Sequence, residues 1–580
     1  MRFIPRGRAW LQCAPLLSLL LVSGGVCAAD GAQRAESKQA TTAQRVQRPG
    51  HAAIASANFL ATNAGFEVLG KGGNAFDAAI AVASTLSVVE PESSGIGGGF
   101  MALLHRAADG RDVFVDARET APGAVDSKDY LNADGTPNRD ASLNGPLSAG
   151  IPGEPAGLVW LSKHYGKLPL KVSLAPAIRL ARDGFQPDPR LLGAITDRQQ
   201  ELQRWPASAS KYLPSGQPPV AGAVWRDPDQ ARTLEKLAEQ GNDGFYRGDT
   251  AAALVQAVRD AGGRWTAADL TAYTVKERAP ISLDYRGYRV VTAPPPSSGG
   301  VAIAEILNIL SGFDLTKFDQ AHRIHLVVEA MRRAFRDHND YLGDPDFVKM
   351  PLDMLLSPYY AAGLRQSILP DKATPSSMLP ASTTVDPGMH TTHFSIIDAD
   401  GNMVGITSTV NYVLGSTFVA KGTGVLLNDE MDDFALVPGK PNVYGLLGSN
   451  ANAPQPGKRM LSSMSPSFVI GAERTAVIGS PGGSTIITQV LEGILDFIDG
   501  ENATAIVAHR RYHHQYMPDT VMTEQGTFDA ATSDALTVMG YTLKQRESWG
   551  FMNVVTWDHR THKLDAASDP RHPSGLGKVQ

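Results

Sequence analysis

The chain has 580 residues, of which 43% are hydrophobic and 19% are charged, and its formal net charge is −6. This composition supplies ample apolar material for a large core, so collagen-like and wholly disordered classes are excluded. The slightly acidic balance also argues against a nucleic-acid binder or a polybasic membrane face.

The first 28 residues have the features of a secretory signal peptide. Arg2, Arg6 and Arg8 form a positive segment, and the apolar run at 16–22 is too short to span a bilayer. The small residues at 26–28 predict cleavage after Ala28, with a membrane anchor or a lipoprotein as the less favoured alternatives. Because no later apolar stretch reaches spanning length, we expect a soluble protein, periplasmic or secreted.

Signal removal would also discard both cysteines of the chain, Cys13 and Cys27. The mature chain would then contain no thiol. Disulfide frameworks, cysteine-ligated zinc, iron–sulfur clusters and a cysteine nucleophile are therefore excluded for it.

Further along the chain, local patterns predict both loops and helices. Residues 29–50 have almost no large apolar side chains and should form a flexible leader. Asp227 and Pro228 are predicted to be the N-cap and first residue of a helix that ends at Gly241. A second helix is predicted to have Leu254, Val255 and Val258 on one face and to end at Gly262-Gly263. Arg332, Arg333 and Arg336 suggest a charged helix face, and the Pro- and Ser-rich residues 372–390 an exposed loop.

The pattern becomes strand-like after residue 390. Residues 392–398 and 403–409 predict a hairpin around Asp400-Gly401-Asn402, and residues 467–470 and 476–479 predict a second one. A clear apolar stripe over 487–498 then predicts a helix. Helices on both sides of hairpins suggest sheets sandwiched between helical layers.

Several segments carry residues that chemistry uses, although each also has a plain structural interpretation. Gly482-Gly483 between a strand and a helix would suit an oxyanion, or simply a tight turn. Thr391 begins a strand, and a threonine becomes an effective nucleophile when a new N-terminus gives it an α-amine as base. The acidic run 428–433 would suit a substrate ammonium or a solvated turn. His509 and His513 lack the glutamate of a zinc hydrolase, which favours structural roles.

A set of longer motifs, in a fixed order, covers nearly the whole mature chain. These motifs are GGNAFDAA (72–79), PESSGIGGG (91–99), RETAP (118–122), PPPSSGG (294–300), YLGDP (341–345), TTH (391–393), NDEMDDF (428–434), LSSMSP (461–466) and GSPGGS (479–484). Together they resemble the γ-glutamyltransferase (γ-glutamyltranspeptidase) family. The resemblance implies an α/β (α+β) fold of the N-terminal-nucleophile hydrolase type, a four-layer αββα sandwich.

The resemblance also implies autocatalytic cleavage between His390 and Thr391. Residues 51–390 would form a large subunit and residues 391–580 a small subunit of one αββα unit. Thr391 would be the nucleophile, with its own α-amine as general base and with Thr409 hydrogen-bonded to it. Gly482 and Gly483 match the oxyanion-hole pair of the family. No metal and no cofactor are implied.

The family's substrate-binding residues also have counterparts here. Arg118 matches the arginine that pairs with the substrate α-carboxylate, which suits a planar, bidentate fork. Ser462 and Ser463 would assist Arg118, and Asn411, Glu430 and Asp433 match the α-ammonium binders. Position 430 is glutamine in some members and glutamate here. Tyr444, in the segment PNVYG (441–445), resembles the family's lid over the pocket.

The implied function is that of an exported γ-glutamyltranspeptidase and glutathione hydrolase. It would transfer the γ-glutamyl group from glutathione and other γ-glutamyl compounds to water, amino acids or peptides through an ester on Thr391. The alternative enzyme is a cephalosporin (glutaryl) acylase, whose acyl group lacks the α-ammonium. A non-enzymatic alternative is an exported binding protein on an inactive hydrolase scaffold.

Overall fold

The computed structural model describes residues 48–379, 391–446 and 448–580. The predicted signal peptide, residues 29–47 of the predicted leader and His390 lie outside the described residues.

The strands occur in groups between runs of helices along the chain. The described strands are β1 (Ala53–Ser56), β2 (Gly99–Arg106), β3 (Arg111–Ala117), β4 (Lys276–Arg278), β5 (Ile281–Tyr285), β6 (Tyr288–Thr292), β7 (Thr392–Ile397), β8 (Met403–Thr409), β9 (Ser467–Ile470), β10 (Arg474–Gly479), β11 (Tyr512–His513), β12 (Val521–Glu524), β13 (Leu543–Arg546), β14 (Asn553–Asp558), β15 (Lys563–Ser568) and β16 (Leu576–Val579).

The described α-helices are α1 (Phe59–Gly70), α2 (Ala75–Val89), α3 (Arg139–Leu143), α4 (Glu154–His164), α5 (Leu170–Asp183), α6 (Pro189–Asp197), α7 (Gln199–Gln203), α8 (Pro206–Tyr212), α9 (Pro228–Gln240), α10 (Asp243–Tyr246), α11 (Gly248–Asp260), α12 (Ala267–Ala272), α13 (Gly299–Leu310), α14 (Gln320–Tyr341), α15 (Leu352–Leu355), α16 (Pro358–Gln366), α17 (Ile486–Ile498), α18 (Ala503–Ala508) and α19 (Ala530–Val538).

Two large sheets form the centre of the molecule. The first has the strand order β16-β1-β7-β8-β2-β3-β4, and the second has the order β15-β14-β10-β9-β6-β5. Neighbouring strands in both sheets are antiparallel. A small third sheet has the strand order β11-β12-β13 and shares no strand with the two large sheets.

The first sheet is covered on both faces, as the alternation of its side chains shows. Phe100, Ala102 and Leu104 of β2 belong to an apolar cluster with helices α1, α2, α5 and α9. Met101 and Leu103 of the same strand belong to a second cluster with the other large sheet and helices α13, α14 and α17. Since successive strand residues point to opposite faces, the layers run helix, sheet, sheet, helix. The predicted αββα sandwich is confirmed.

Local sequence signals placed several elements correctly. Helix α9 starts at Pro228, and the Asp227 side chain accepts a hydrogen bond from the Gln230 N–H at 2.9 Å. Helix α11 covers the second predicted helix, and α17 covers the apolar stripe of 487–498. The hairpin predicted around Gly401 is β7–β8. In each case the signal lies within a few residues of the element that it specifies.

The interpretation of the arginine cluster in α14 needs correction. Arg332 and Arg333 are 1% exposed, so they do not form a solvated helix face. Both pair with the buried carboxylate of Glu329, and Arg333 does so at 2.7 Å. Their burial follows from packing against distant parts of the chain, because Arg332 also pairs with Asp519.

The described part of the predicted exposed loop, residues 372–379, has several exposed side chains but is anchored at two buried residues. Ser376 is buried, its N–H donates to Asp519 Oδ2 at 2.7 Å, and its hydroxyl donates to the Tyr516 carbonyl at 2.5 Å. The Ala373 N–H donates to the Met539 carbonyl at 2.8 Å. The chain before residue 380 is thus fixed to residues that follow Thr391 in sequence.

Candidate active site

The hairpin β7–β8 places two threonines side by side. Thr391 immediately precedes β7 and Thr409 ends β8, so antiparallel pairing brings them together at one end of the hairpin. The Thr391 hydroxyl donates to Thr409 Oγ1 at 3.3 Å, and the Asn411 N–H donates to the same oxygen at 2.8 Å. All three residues are buried. Thr409 therefore links the candidate nucleophile to Asn411.

The glycine pair lies where β10 gives way to α17. Gly482 has φ +138° and Gly483 has φ +56°, both in the region that favours glycine. A Cβ at Gly482 would lie 2.5 Å from Thr485 Oγ1 and 2.6 Å from Gln489 Nε2, so no larger residue fits without movement. The first N–H groups of a helical turn lack acceptors within it, which leaves donors at this point.

Arg118 follows β3 and is 1% exposed. Its Nη1 lies 2.5 Å from Glu430 Oε2, and its Nη2 lies 2.5 Å from Asp433 Oδ2. Nη2 also donates to the Leu461 carbonyl at 3.1 Å. Burial alone would lower the pKa of Arg118, but the carboxylates of Glu430, Glu119 and Asp433 outweigh it and raise that pKa. The guanidinium is therefore held charged and fixed in direction.

The acidic segment is buried, which makes the interpretation as a solvated turn wrong. Glu430 and Asp433 bound a short 3₁₀ turn, and Glu430 is fully buried. Burial raises the pKa of Glu430 well above its ordinary value, although Arg118 opposes the shift. It raises the pKa of Asp433 to about 6, again against Arg118. A cation at this point would relieve the cost of both buried carboxylates.

Tyr444 closes one side of the site. It is 3% exposed, and its hydroxyl donates to the Asn411 carbonyl at 2.6 Å. The loop that carries it is tied down by Asn442, whose side-chain amide donates to Asp433 Oδ1 at 3.2 Å. The Val443 N–H donates to Asp432 Oδ2 at 2.8 Å. The loop is thus bonded to the acidic turn that it covers.

Nearly all of the predicted site residues line one pocket. The structure brings together Arg118, Thr391, Thr409, Asn411, Glu430, Asp433, Tyr444, Ser462, Ser463 and Gly483. Gly482 adjoins Gly483 but does not itself line the pocket. The serines come from the segment after Leu461, and the Ser462 N–H donates to the Pro296 carbonyl at 2.9 Å. A threonine pair, a fixed cation and two carboxylates thus share one enclosure.

Comparison with known proteins then gives the family. The sequence profile described as Gamma-glutamyltranspeptidase matches residues 61–578. The chain belongs to the gamma-glutamyltranspeptidase family. A glutathione hydrolase proenzyme from Pseudomonas sp. (strain A14) is 44% identical over 503 residues, which cover 86% of this chain and 85% of the relative.

Two solved structures extend the family assignment to the fold. A cephalosporin acylase from Bacillus halodurans superposes with a TM-score of 0.79 at 30% identity, covering 92% of this chain and 96% of its own. A gamma-glutamyltranspeptidase chain from Helicobacter pylori gives 0.54 at 36% identity, covering 55% of this chain and 92% of its own. This gamma-glutamyltranspeptidase family member is therefore an enzyme with the N-terminal-nucleophile hydrolase fold.

Sequence reasoning missed two buried carboxyls behind the pocket of this transpeptidase-family enzyme. Glu119 Oε2 lies 3.5 Å from Arg118 Nη1, and burial raises the pKa of Glu119 to about 7. Glu154, at the start of α4, accepts a hydrogen bond from the Ser408 hydroxyl at 2.5 Å. Burial raises the pKa of Glu154 to about 8. Glu119 stands within the RETAP motif, but only the assembled sheet shows that either carboxyl is buried.

The histidine-rich segment has structural contacts, in line with its favoured interpretation. His513 and His514 are buried, and His513 contacts Thr488 and Gln515 at 2.8 Å. In the part of the chain that the structure describes, no group of three or more His, Cys, Asp and Glu side chains is arranged to hold a metal. Nor does any helix there have the length and apolar character needed to cross a bilayer.

Proposed function

We propose that this chain is an exported precursor that cleaves itself between His390 and Thr391 and then acts as a γ-glutamyltranspeptidase and glutathione hydrolase. The observation that carries the proposal is the Thr391–Thr409 hydrogen bond inside a pocket that also contains Arg118 and Asp433. Residues 1–28 would be the signal peptide and 29–50 the leader. Residues 51–390 and 391–580 would be the large and small subunits.

Two comparisons support cleavage of the precursor. The relative from Pseudomonas sp. is named a proenzyme. The transpeptidase chain from Helicobacter pylori is matched over almost all of its own length, but it accounts for only 55% of this chain. A mature protein built from two pieces of one precursor fits both observations.

The proposed reaction has two steps. Thr391 Oγ attacks the γ-carbonyl carbon of the donor, and the α-amine of Thr391 takes the hydroxyl proton. The carbon–nitrogen bond breaks, the leaving amine receives that proton, and the γ-glutamyl group remains as an ester on Thr391. Water or an acceptor amine then attacks the ester and restores the hydroxyl. Thr409 orients Thr391, and N–H groups at Gly482 and Gly483 stabilise the oxyanion of each step.

Recognition of the donor would rest on paired charges. Arg118 binds the α-carboxylate, assisted by Ser462 and Ser463, while Asn411, Glu430 and Asp433 bind the α-ammonium. Arg118 already faces the two carboxylates at 2.5 Å. A donor that carries both an ammonium and a carboxylate inserts between them, and each of its charges meets a partner of opposite sign. Tyr444 would shield the bound donor from water.

The replacement Thr391→Ala tests the nucleophile. We expect one unprocessed band on a denaturing gel and no hydrolysis of γ-glutamyl-p-nitroanilide, because the variant lacks the attacking oxygen. Intact mass of the wild-type protein should show cuts after Ala28 and before Thr391. Thr196→Ala is a matched control, since Thr196 is exposed on α6. If Thr391→Ala still splits or still turns over substrate, the nucleophile assignment is wrong.

A glutaryl acylase is the second candidate, favoured by the superposition on the Bacillus halodurans cephalosporin acylase. A glutaryl group has no ammonium to place against Glu430 and Asp433, so burial of these carboxylates favours γ-glutamyl donors. Rates on γ-glutamyl- and glutaryl-p-nitroanilide, measured side by side, decide between the two. Faster release from the glutaryl compound would replace the proposed activity with this one.

A further inference from the structure

Thr392, the residue after the candidate nucleophile, is hydrogen-bonded to a residue that precedes the proposed cleavage point in the chain. Thr392, the first residue of β7, donates its hydroxyl proton to Glu90 Oε2 at 2.8 Å. Thr392 is fully buried and Glu90 is 1% exposed. A hydrogen bond between a hydroxyl and a buried carboxyl holds both groups in direction.

Glu90 is itself held at its backbone by α2 and at its carboxyl group by Arg190 and His572. It caps the end of α2, with its N–H donating to the Leu86 carbonyl at 2.8 Å. Its Oε1 lies 3.1 Å from Arg190 Nη1 and 3.5 Å from His572 Nε2. The Arg190 guanidinium in turn lies over the Phe551 ring, 4.4 Å from its centre. The carboxyl group therefore has little freedom to move.

The turn that follows Glu90 is hydrogen-bonded to the segment after Thr409. The Ser93 carbonyl accepts from the Val410 N–H at 3.3 Å, and the Glu92 carbonyl accepts from the Leu414 N–H at 3.1 Å. Val410 lies between Thr409 and Asn411, which both line the pocket. One short segment thus contacts both sides of the Thr391–Thr409 pair.

From this arrangement we infer that Glu90, acting through Thr392, is a positioning residue for the nucleophile. The inference rests on the proposed role of Thr391. Once the bond before Thr391 is cut, that residue is held by the chain on one side only. Its place beside Thr409 then depends on how firmly Thr392 is fixed. The pairing of Thr392 with Ser408 fixes the backbone, and Glu90 fixes the side chain.

The first test compares two replacements of Thr392 in the full-length protein. Thr392→Val keeps the shape and removes the hydroxyl, whereas Thr392→Ser keeps the hydroxyl. For matured Thr392→Val we expect kcat on γ-glutamyl-p-nitroanilide to fall by roughly tenfold to a hundredfold, the size of loss that misplaced reacting groups produce. KM should stay within about twofold, because Arg118 and Asp433 are untouched. Thr392→Ser should recover kcat to within about threefold.

The second test is a double-mutant cycle with Glu90→Ala. If Glu90 acts through Thr392, kcat of the double variant should match that of the less active single variant within about twofold. Glu90→Gln serves as the folding control, since its amide oxygen still accepts from Thr392 at nearly unchanged volume. The rate at which precursor converts to two pieces, followed on a gel, provides a second readout for any variant that matures slowly.

The outcomes separate this inference from the proposed function. Wild-type kcat and wild-type conversion in Thr392→Val would overturn the inference while leaving Thr391 as nucleophile. So would losses in the double variant equal to the product of the two single losses. Equal losses in the Val and Ser variants would also overturn it, because the hydroxyl would then be irrelevant. Activity in Thr391→Ala would instead remove the function on which the inference rests.

Discussion

At the scale of single residues, Asp433 shows how the fold tunes a binding group. Its carboxyl lies 2.5 Å from Arg118, yet burial raises its pKa to about 6. The ion therefore remains costly to hold in the pocket despite Arg118, and in the proposed function a substrate ammonium would add a second opposite charge. In the proposed function, affinity for the donor would arise from this cost as well as from the new contacts.

The replacement Asp433→Asn tests whether Asp433 binds the ammonium group of the donor. We expect KM for γ-glutamyl-p-nitroanilide to rise by roughly tenfold to a hundredfold, since a hydrogen bond to a charged group contributes about 1.5–3 kcal/mol. The rate on the glutaryl compound should change little, because that compound has no ammonium. Steady-state kinetics on both compounds provide the measurement, and an equal loss on the two would contradict the assignment.

A second prediction concerns how Glu154 affects the pH dependence of the free energy of unfolding. Burial raises its pKa to about 8, so the folded protein keeps a proton that the unfolded chain releases near the ordinary value of a glutamate. The contribution of Glu154 to stability is therefore complete at low pH and falls as the pH rises towards 8. Glu154→Gln removes the titration and keeps an acceptor for Ser408.

We expect the two proteins to unfold at similar urea concentrations at pH 5 and the Gln variant to be the more stable at pH 8. The slope that Glu154 adds to the pH dependence is at most about 1.4 kcal/mol per pH unit. Urea unfolding at the two pH values measures the difference. Parallel pH profiles for wild type and variant would show that Glu154 is already ionised in the folded state.

At the scale of elements, Gly98, just before β2, allows the close approach of the chain to the end of β8. A Cβ at Gly98 would lie 2.0 Å from the Thr409 carbonyl oxygen. Gly98→Ala must therefore displace Thr409 or the turn that leads into β2. We expect processing at Thr391 to be lost or strongly slowed, as judged by the ratio of precursor to pieces on a denaturing gel.

The matched control is Gly193→Ala in helix α6, where a Cβ meets nothing within 4 Å. Alanine at that point should mature normally and stabilise the helix by about 0.5–1 kcal/mol. Normal processing of Gly98→Ala would show that the hairpin end tolerates a shift of Thr409, and the argument from close approach would fail.

Elements were predictable where their signals are local. Asp227 caps α9 and Gly401 turns β7 into β8, and both act on residues a few positions away. Arg332 and Arg333 were misjudged because their ion pairs and burial depend on α14 packing against the segment around Asp519. Glu154 was missed for the same reason. The candidate site was reached through motifs in order, since no single motif indicates which residues meet.

At the scale of the whole molecule, both sheets combine strands from either side of the proposed cleavage point. In the first sheet β7 and β8 lie between β1 and β2, and in the second sheet β9 pairs with β6. The family resemblance implied the four layers and one unit shared by the two subunits. Strand order across such distances has no local signal, so the order itself could not be predicted from the sequence.

Interleaved strands predict how the cleaved protein behaves. Separating the pieces would break backbone pairing in both sheets and expose the cores on either side. We expect two bands on a denaturing gel but one particle of undivided mass in size-exclusion chromatography, and a single cooperative thermal transition. Elution of two separate species under native conditions would contradict the shared-sheet arrangement.

The central place of β7 has one more consequence. Chain ends are ordinarily the frayed parts of a protein, and exopeptidases begin there because they need a loose, extended terminus. The terminus created before Thr391 would instead start a strand flanked by β1 and β8, with Thr391 only 4% exposed. Loss of one residue would remove the proposed nucleophile, and the position of the strand inside the sheet would protect against that loss. If the enzyme is exported as proposed, its reactive end would thereby be kept from being trimmed by extracellular peptidases.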